Sequence, residues 1–329
     1  MPAVPLRPRR LPMPGRARRV PALDRRSGPR PRPVPPSHRA AGHHHRLSPS
    51  RKARAMSLVR IERNEKVAEL VLDREDKLNA FNDALFEDYE NALHELGADS
   101  SVSVIIVRGA GRAFSVGWDV ARPAPSTNGD APAHRTAHED WLRLRGHIRA
   151  FTAVFDLPKP VVASVHGYCM GGATLIPACA DLAVVGDDTK IGWPVLPIGG
   201  GMLGPVAMSH LGPKKAKELS YTAGSHISGA EAASRGWANY AVPTDEVLDK
   251  TREIAREVSK TPLDMLEIKK RAANDVLIRQ GFRETLDACA GWDALIHTAE
   301  GNRRMVAKLG ELGISAARTW YAEGGSLAF

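Results

Sequence analysis

Two glycine-rich segments about fifty residues apart constrain the fold of this chain more than any other feature. They are FSVGWD at residues 114–119 and GYCMGG at residues 167–172. Each follows a short run rich in β-branched residues, at 102–107 and at 160–165, and such runs are typical of buried parallel strands. The pattern therefore predicts two buried strands, each followed by a tight turn of the kind that glycine permits.

A pair of such turns also predicts a binding site for an anionic oxygen. The first N–H groups of a helix lack intrahelical partners and carry partial positive charge. Two of them aimed at one carbonyl oxygen would stabilise negative charge that develops on it. The alternative is that these glycines only allow positive φ in tight turns, and for one turn alone we would prefer it. Two turns in matching positions favour the oxyanion site.

Five segments in order along the chain carry a resemblance to a known family. They are DKLNAF (76–81), RAFSVGWDV (112–120), KPVVASVHGYCMGGA (159–173), ADLA (180–183) and ISGAEAASRGWA (227–238). From about Met56 to its C-terminus the chain resembles the crotonase, or enoyl-CoA hydratase/isomerase, superfamily. The resemblance implies an α/β fold, a spiral of repeated β-β-α units with a C-terminal helical region.

The chain divides into three parts. We expect residues 1–55 to be a disordered Arg/Pro-rich extension, residues 56–245 to form the crotonase-like spiral core, and residues 246–329 to form a helical region for packing and oligomerisation. In the family the helical part packs against neighbouring subunits. The resemblance therefore implies a homotrimer or a hexamer.

The resemblance also implies a coenzyme A thioester as the substrate. Coenzyme A would be present as part of that substrate, with no permanently bound cofactor and no metal. The thioester oxygen would lie between the backbone N–H groups of Trp118 and Gly172. In the same way, the residues expected along the substrate and coenzyme A path are Lys77, Leu78, Ala80, Trp118, Asp119, Val120, Ala121, Gly171 and Gly172. Lys77 would face a phosphate, unless it is an ordinary solvated surface lysine.

The usual catalytic glutamates of enoyl-CoA hydratases are replaced in this sequence. By resemblance their positions are Leu175, three residues after the second glycine turn, and Val195, after the next strand. In hydratases these paired carboxylates activate water and deliver a proton to the α-carbon. An aliphatic side chain transfers no proton, so we expect ordinary hydration to be impaired while the oxyanion site is kept.

Several polar residues near the expected pocket could transfer a proton or line that pocket instead. They are Asp119, Glu139, Asp140, His147, His166, Tyr168 and Thr174. A structural role competes with each, because Asp119 could cap a helix, Tyr168 could pack, and the Thr174 hydroxyl could bond its own backbone. Trp118 and Trp193 predict aromatic walls, which suit a bulky or ring-bearing acyl group.

The charge of the chain is concentrated at its N-terminus. Residues 1–55 hold 15 of the 46 basic residues, one of the 37 acidic residues and 12 of the 24 prolines, so their net charge is +14 against −5 for the rest. Such a segment cannot offset its ordering entropy by burying apolar surface. Four interpretations compete: a functionless extension or an upstream start before Met56, an organelle transit peptide, a nucleic-acid tether, and metal binding through residues 43–45.

We favour the first interpretation of this extension. The prolines oppose the amphipathic helix of a transit peptide, and the three histidines lack cysteine or a spaced carboxylate. We expect no nucleic-acid partner, since the remainder of the chain is acidic.

The apolar runs and the cysteines indicate the cellular compartment in which we expect the protein. No run approaches the ~20 apolar residues of a membrane-spanning helix, and Cys169, Cys179 and Cys289 form no C-x-x-C pair. We expect a cytoplasmic protein in which Cys169 is a packed thiol.

The main hypothesis for the function is an acyl-CoA-processing lyase or isomerase. The alternatives are a decarboxylase, hydrolase or C–C lyase on the same fold, and a non-catalytic acyl-CoA-binding relative.

Overall fold

The computed structural model describes residues 57–120, 136–193 and 196–325. The strands are β1 (Val59–Asn64), β2 (Val67–Leu72), β3 (Val104–Gly109), β4 (Val161–Val165), β5 (Tyr168–Met170), β6 (Leu182–Gly186), β7 (Lys190–Gly192), β8 (His226–Ser228) and β9 (Tyr240–Val242). The helices are α1 (Asp83–Ala98), α2 (Ala137–Asp156), α3 (Leu175–Cys179), α4 (Leu203–Tyr221), α5 (Gly229–Ser234), α6 (Val247–Ser259), α7 (Leu263–Arg279), α8 (Phe282–Thr298) and α9 (Glu300–Ala322). The expected disorder of residues 1–55, and the expectations for Ala121 and Val195, fall outside the described residues.

The main sheet has six strands in the order β1-β2-β3-β4-β6-β9. β1 and β2 form an antiparallel hairpin, and all the other pairs are parallel. Strand β3 is buried on both faces: Ile105 and Val107 contribute to the core that includes α1 and α2, whereas Val104 and Ile106 pack with Ala255 of α6. A strand covered by helices on both faces has no polar face, which is why its sequence is a continuous apolar run.

A second sheet joins β5, β7 and β8. β5 and β7 are parallel with Met170 opposite Gly192, so the next residues along the two strands are Gly171 and Trp193. Each of these strands has three residues, which is too short to give a detectable period of two in the sequence. This small sheet carries the second glycine segment, and it places Trp193 beside that segment.

Helix α1 shows how the sequence fixes one layer of the core. The Asn82 side chain caps the helix by accepting from the Leu85 N–H at 2.9 Å, and the buried positions recur at helical spacing through Tyr89 to Leu96. Ala84, which the periodicity alone would add to this stripe, is exposed, and Phe86 is buried instead. The helix thus turns a slightly different face to the sheet than the pattern indicates.

The C-terminal helices do not form one separate layer. Helix α6 packs on the main sheet, whereas α8 packs along α2. Helix α7 is tied in through Lys270, whose buried ammonium donates to Val154 O at 2.8 Å and to Asp181 Oδ2 at 2.8 Å. Across the described ranges, no helix has the length and apolar character that crossing a membrane requires.

Candidate active site

The two glycine segments lie side by side. The Phe114 N–H donates to His166 O at 2.9 Å and the Ser115 N–H donates to Tyr168 O at 3.1 Å, while the Met170 N–H donates to Ser115 O at 3.0 Å. The residues that make these three bonds follow the ends of the parallel strands β3 and β4. The chain therefore brings its two turns to a single place, as the sequence predicts.

Glycine is required where the turns touch. Gly117 has φ of +87°, and a Cβ there would lie 2.8 Å from Met170 O and 3.1 Å from the Gly172 nitrogen. A Cβ on Gly172 would overlap the Trp118 ring and lie 2.6 Å from Phe151 Cε2. Real Cβ atoms do not approach so closely, so both positions exclude every side chain unless their neighbours move.

The N–H groups of Trp118 and Gly172 lie at this contact. The other hydrogen bonds of the first turn run from the Val116 N–H to Leu78 O, from the Gly117 N–H to Ser115 Oγ and from the Asp119 N–H to Phe81 O. The Trp118 N–H has no such bond among the described residues. The Gly172 N–H lies in the first turn of a 3₁₀ helix over Gly171–Thr174, where N–H groups lack intrahelical partners. Two donors are thus available within one small region.

The Trp118 indole ring is fixed over Gly172. Its Nε1–H donates to His147 Nδ1 at 2.9 Å, and its ring lies nearly perpendicular to that of Phe151, with 5.0 Å between the ring centroids. His147 in turn stacks on Phe86 at 4.3 Å with an angle of 9° between the rings. Since Nδ1 accepts this bond, a neutral His147 carries its proton on Nε2. His147 therefore reaches the site as the partner of Trp118.

The segment with Lys77 is bound to the first turn through Asp119. Arg74 Nη1 donates to Asp119 Oδ2 at 2.6 Å and to Ala80 O at 2.9 Å. Both charged side chains of this pair are largely buried. Lys77 is exposed, and Val120 is 40% exposed. Nothing in the sequence pointed to Arg74, because its partner lies 45 residues away.

Leu175, which we expect at the position of one usual glutamate, lies in an apolar environment. Leu175 is buried and lines a narrow cavity together with Thr174 and Trp193. Thr174 donates its hydroxyl to Gly171 O at 2.7 Å, which confirms that this hydroxyl bonds its own backbone. The cavity has a volume of about 10 Å³, room for roughly one water molecule.

The carboxylates of α2 are held by other groups. Glu139 completes a capping box with Thr136, accepting from the Thr136 N–H at 2.8 Å. Asp140 accepts from His297 Nδ1 at 2.5 Å and from Arg143 Nη2 at 2.7 Å. Burial favours a higher pKa for Asp140, but these two hydrogen bonds outweigh it and hold the pKa below its usual value. Asp140 is thus an ion-paired carboxylate at the contact between α2 and α8.

Helices α8 and α9 hold the glycine loop that follows β7. Asp293 Oδ1 accepts from the N–H groups of Gly200 and Gly201, both at 2.8 Å, and Asn302 Oδ1 accepts from the Gly199 N–H at 3.0 Å. Burial raises the pKa of Asp293, against the opposing effect of His297 and the two N–H groups. The C-terminal helices therefore position a loop that adjoins the site, a link that the sequence did not indicate.

Three further residues from the sequence analysis, Tyr168, His166 and Cys169, are engaged in ring, hydrogen-bond or packing contacts. Tyr168 is half-buried, with Lys190 Nζ at 5.7 Å from its ring centroid. His166 Nε2 lies 2.8 Å from Gly111 O. Cys169 is fully buried, and burial raises the pKa of its thiol, which confirms the packed-thiol interpretation. Among the described residues, no group of three His, Cys, Asp or Glu side chains is arranged to hold a metal ion.

Comparison with known proteins agrees with this geometry. Solved structures with a similar fold include an enoyl-CoA hydratase from Mycobacterium smegmatis, with a TM-score of 0.73, 26% identity and coverage of 82% of this chain and 96% of that one. An enoyl-CoA hydratase/isomerase from Xanthobacter autotrophicus Py2 gives a TM-score of 0.74, 27% identity and coverage of 82% and 99%. The expected crotonase-like α/β fold is thereby confirmed.

Sequence comparison identifies the family itself. A carnitinyl-CoA dehydratase from Salmonella arizonae is 31% identical over 234 residues, which are 68% of this chain and 84% of that protein. The sequence profile described as enoyl-CoA hydratase/isomerase matches residues 62–295, which include both glycine turns, the apolar cavity and most of α8. The chain therefore belongs to the enoyl-CoA hydratase/isomerase family.

Proposed function

We propose that this protein processes acyl-CoA thioesters by holding the thioester oxygen between the backbone N–H groups of Trp118 and Gly172. The observation that carries the proposal is the contact between the two glycine turns. Donors aimed at an oxygen that gains charge stabilise the enolate more than the neutral thioester, and removing one typically costs about 10²–10³-fold in rate. Because these donors belong to the backbone, they are already positioned before the substrate arrives.

The coenzyme A portion would follow the segment that is bound to the first turn. We include in this path Lys77, Leu78, Ala80, Asp119, Val120, Ala121 and Gly171. The Arg74–Asp119 ion pair and the bond from the Val116 N–H to Leu78 O fix this segment relative to Trp118. The exposed Lys77 ammonium would then face a phosphate of coenzyme A, which enters only as part of the substrate.

The reaction would differ from glutamate-assisted hydration. The described half of the usual pair is Leu175, which offers no proton-transfer group, and Glu139 and Asp140 are engaged elsewhere. An oxyanion site without a base at Leu175 suits reactions that pass through an enolate, namely decarboxylation, C–C cleavage or isomerisation, with proton transfer by other groups. It also suits thioester hydrolysis, in which water adds to the carbonyl, the site stabilises the tetrahedral oxyanion, and the thiol of coenzyme A leaves. Thr174, Tyr168, His147 and Trp193 would then line the pocket or bind the reacting group.

A matched pair of substitutions at Gly172 tests the oxyanion site. Gly172→Pro removes the N–H, whereas Gly172→Ala keeps it and adds the same Cβ, which meets Trp118 and Phe151 in both variants. Binding of butyryl-CoA is measured by calorimetry, and turnover is measured with crotonyl-CoA and an aryl-substituted enoyl-CoA. We expect tight acyl-CoA binding, slow hydration, and a loss of turnover at least tenfold larger in the Pro variant than in the Ala variant. Equal losses in both would contradict the donor role of Gly172.

A second candidate is a non-catalytic acyl-CoA-binding protein. The apolar cavity around Leu175 favours it, because no ionisable side chain lines that cavity. It predicts acyl-CoA binding with no turnover across hydratable, decarboxylatable and hydrolysable thioesters. Turnover of any of them that is lost in Gly172→Pro rules it out.

Assembly into a trimer or a hexamer is part of the proposal. Large apolar side chains are exposed on α7 and α8, among them Ile268 at 68%, Trp292 at 57% and Leu295 at 59%. Exposed apolar side chains in such numbers favour an interface between copies of the chain. Light scattering at the mass of three or six chains supports this assembly, and a monomer mass contradicts it.

A further inference from the structure

The Trp118 indole ring is held by two residues of helix α2. His147 Nδ1 accepts a hydrogen bond from Trp118 Nε1 at 2.9 Å, and the Phe151 ring lies nearly perpendicular to the indole ring, with 5.0 Å between the ring centroids. Side chains four residues apart lie on the same face of a helix. One turn of α2 therefore supplies both a polar and an apolar contact to a single side chain of the first glycine turn.

The side chain of Trp118 needs this support because the hydrogen bonds of the turn fix only its main chain. On either side of Trp118, the Phe81 N–H donates to Gly117 O at 2.7 Å and the Asp119 N–H donates to Phe81 O at 2.9 Å. These bonds do not restrict the side-chain torsions of Trp118, and such torsions have several staggered minima. The contacts with α2 therefore select the position of the indole ring.

The selected position places the indole ring against the second glycine turn. A Cβ on Gly172 would overlap Trp118 Cζ3 and lie 2.8 Å from Trp118 Cε3, so the ring fills the space beside the Gly172 α-carbon. Trp118 and Gly172 carry the two proposed donors. Because the ring packs from one turn onto the other, its position affects how far apart the two N–H groups are held.

His147 is itself fixed by the core. Its ring stacks on the buried Phe86 of α1, with 4.3 Å between the ring centroids and 9° between the ring planes. A stacked ring has little freedom to turn, so its Nδ1 stays directed at the indole. Indole is a donor only, and the unprotonated nitrogen of a neutral imidazole is an acceptor. A histidine here thus offers an acceptor in a fixed place, which an apolar side chain of similar size would not.

We propose that His147 is a positioning residue of the oxyanion site. By accepting from the Trp118 indole, it keeps this ring against Gly172 and so keeps the two N–H groups at a spacing that suits one thioester oxygen. This role needs a hydrogen-bond acceptor at Nδ1 and no proton transfer to the substrate. The inference rests on the proposed acyl-CoA site and adds to it a side chain that acts through Trp118.

Two variants of His147 separate the hydrogen bond from the packing. His147→Phe keeps a flat ring beside Phe86 and removes the acceptor. His147→Asn removes the ring but keeps an acceptor, because the asparagine oxygen lies on the carbon that bears Nδ1 in histidine. In the full chain without ligand, ¹H–¹⁵N NMR resolves the indole signals of the six tryptophans, and Trp118→Phe assigns the signal of Trp118. We expect this signal to move upfield in His147→Phe and to stay near its original position in His147→Asn.

Butyryl-CoA labelled with ¹³C at its carbonyl carbon then reports on the oxyanion site. Hydrogen bonds to the carbonyl oxygen polarise the C=O bond and move the carbonyl ¹³C signal downfield. We expect this shift on binding to the unaltered protein and to His147→Asn. In His147→Phe we expect most of the shift to be lost, with about threefold weaker binding for the loss of one neutral hydrogen bond. The shift is read from bound ligand, so an unfolded fraction of the protein does not alter it.

The outcomes distinguish the role of His147 from the proposed function. Equal carbonyl shifts in the unaltered protein and His147→Phe, or an equal loss of the shift in both variants, would overturn the role of the hydrogen bond while leaving the acyl-CoA site intact. A Trp118 indole signal that both variants leave unmoved would do the same. Failure of butyryl-CoA to bind the unaltered protein, or binding without a carbonyl shift, would overturn the proposed function and this inference together.

Discussion

The two sides of the candidate site are built in different ways. One side consists of the glycine turns around Gly117 and Gly172, where the proposed functional groups are main-chain N–H groups and the packing excludes any side chain. The other side is the cavity wall of Thr174, Leu175 and Trp193, where side chains decide the chemistry. The first side presents main-chain donors, whereas the second is lined by aliphatic and aromatic side chains and one threonine, with no ionisable group. In the proposed site, stabilisation of the oxyanion and transfer of a proton therefore depend on different parts of the structure.

Of the changes considered, a carboxylate introduced on the cavity wall should have the largest effect on the rate of hydration. Leu175→Glu places an acid next to the proposed oxyanion site. We expect crotonyl-CoA hydration to rise about a hundredfold, at the low end of the contribution of a positioned acid or base, because Val195 still supplies no carboxylate. Initial rates are followed by the loss of enoyl absorbance.

The control for this substitution is Leu175→Gln, which has similar size and polarity but no ionisable proton. It should leave hydration at the level of the unaltered protein. If Leu175→Glu and Leu175→Gln give the same rate, the reacting carbons do not lie next to residue 175.

The main-chain side should be intolerant of even one added carbon. Gly117→Ala forces an alanine into φ of +87° and places its Cβ 2.8 Å from Met170 O. We expect the free energy of unfolding to fall by about 2–3 kcal/mol. Urea denaturation followed by circular dichroism gives this difference.

A glycine in an ordinary environment provides the comparison. Gly146 lies in α2 with no atom within 4 Å of a Cβ built on it. Gly146→Ala should stabilise the protein by about 0.5–1 kcal/mol, because alanine is a better helix former. Similar effects of the two substitutions would show that the contact between the turns imposes no special constraint.

The same contrast explains what the sequence could predict. The strands around Ile105 and Val162 were identifiable because both of their faces are buried and their residues are β-branched. The glycine turns were identifiable because a backbone site depends on residue type at fixed positions. These features are local, so they are visible in a window of ten residues.

The remaining features depend on contacts between distant residues. The hydrogen bond from Trp118 to His147 spans 29 residues, and the bond from His297 to Asp140 spans 157 residues. Helix α4 was obscured by Gly212 and Pro213, which interrupt its periodicity. The indole N–H of Trp193 has no hydrogen-bond acceptor among the described residues, and no sequence pattern encodes such an absence. The sequence therefore indicated the two glycine turns that meet in the structure, but not the side-chain contacts around them.

The smallest expected effect is a difference between the two sides in how the free energy of unfolding depends on pH. In the proposed site the glycine turns act through main-chain groups. The glycine loop beside Trp193, in contrast, is held by Asp293 on α8, and α8 is joined to α2 through the His297–Asp140 bond. The pKa of Asp140 is lowered in the folded protein, since hydrogen bonds from His297 and Arg143 outweigh the opposing effect of burial. A lowered carboxyl pKa stabilises the fold above the unfolded-state pKa of about 3.9, and this stabilisation is lost as the pH falls through the folded-state value.

Asp140→Asn should therefore cost about 1 kcal/mol at pH 7 and progressively less as the pH falls below about 4. The difference from the unaltered protein isolates this carboxyl from the other titrating groups, because they are present in both chains. Urea denaturation at pH 7, 5 and 3 provides the measurement, and the deficit of Gly117→Ala should stay constant over the same range. A constant deficit for Asp140→Asn would mean that Asp140 acts through its shape and not through its charge. In that case the two sides of the site would respond alike to acid, and α8 would hold the glycine loop without an electrostatic link to α2.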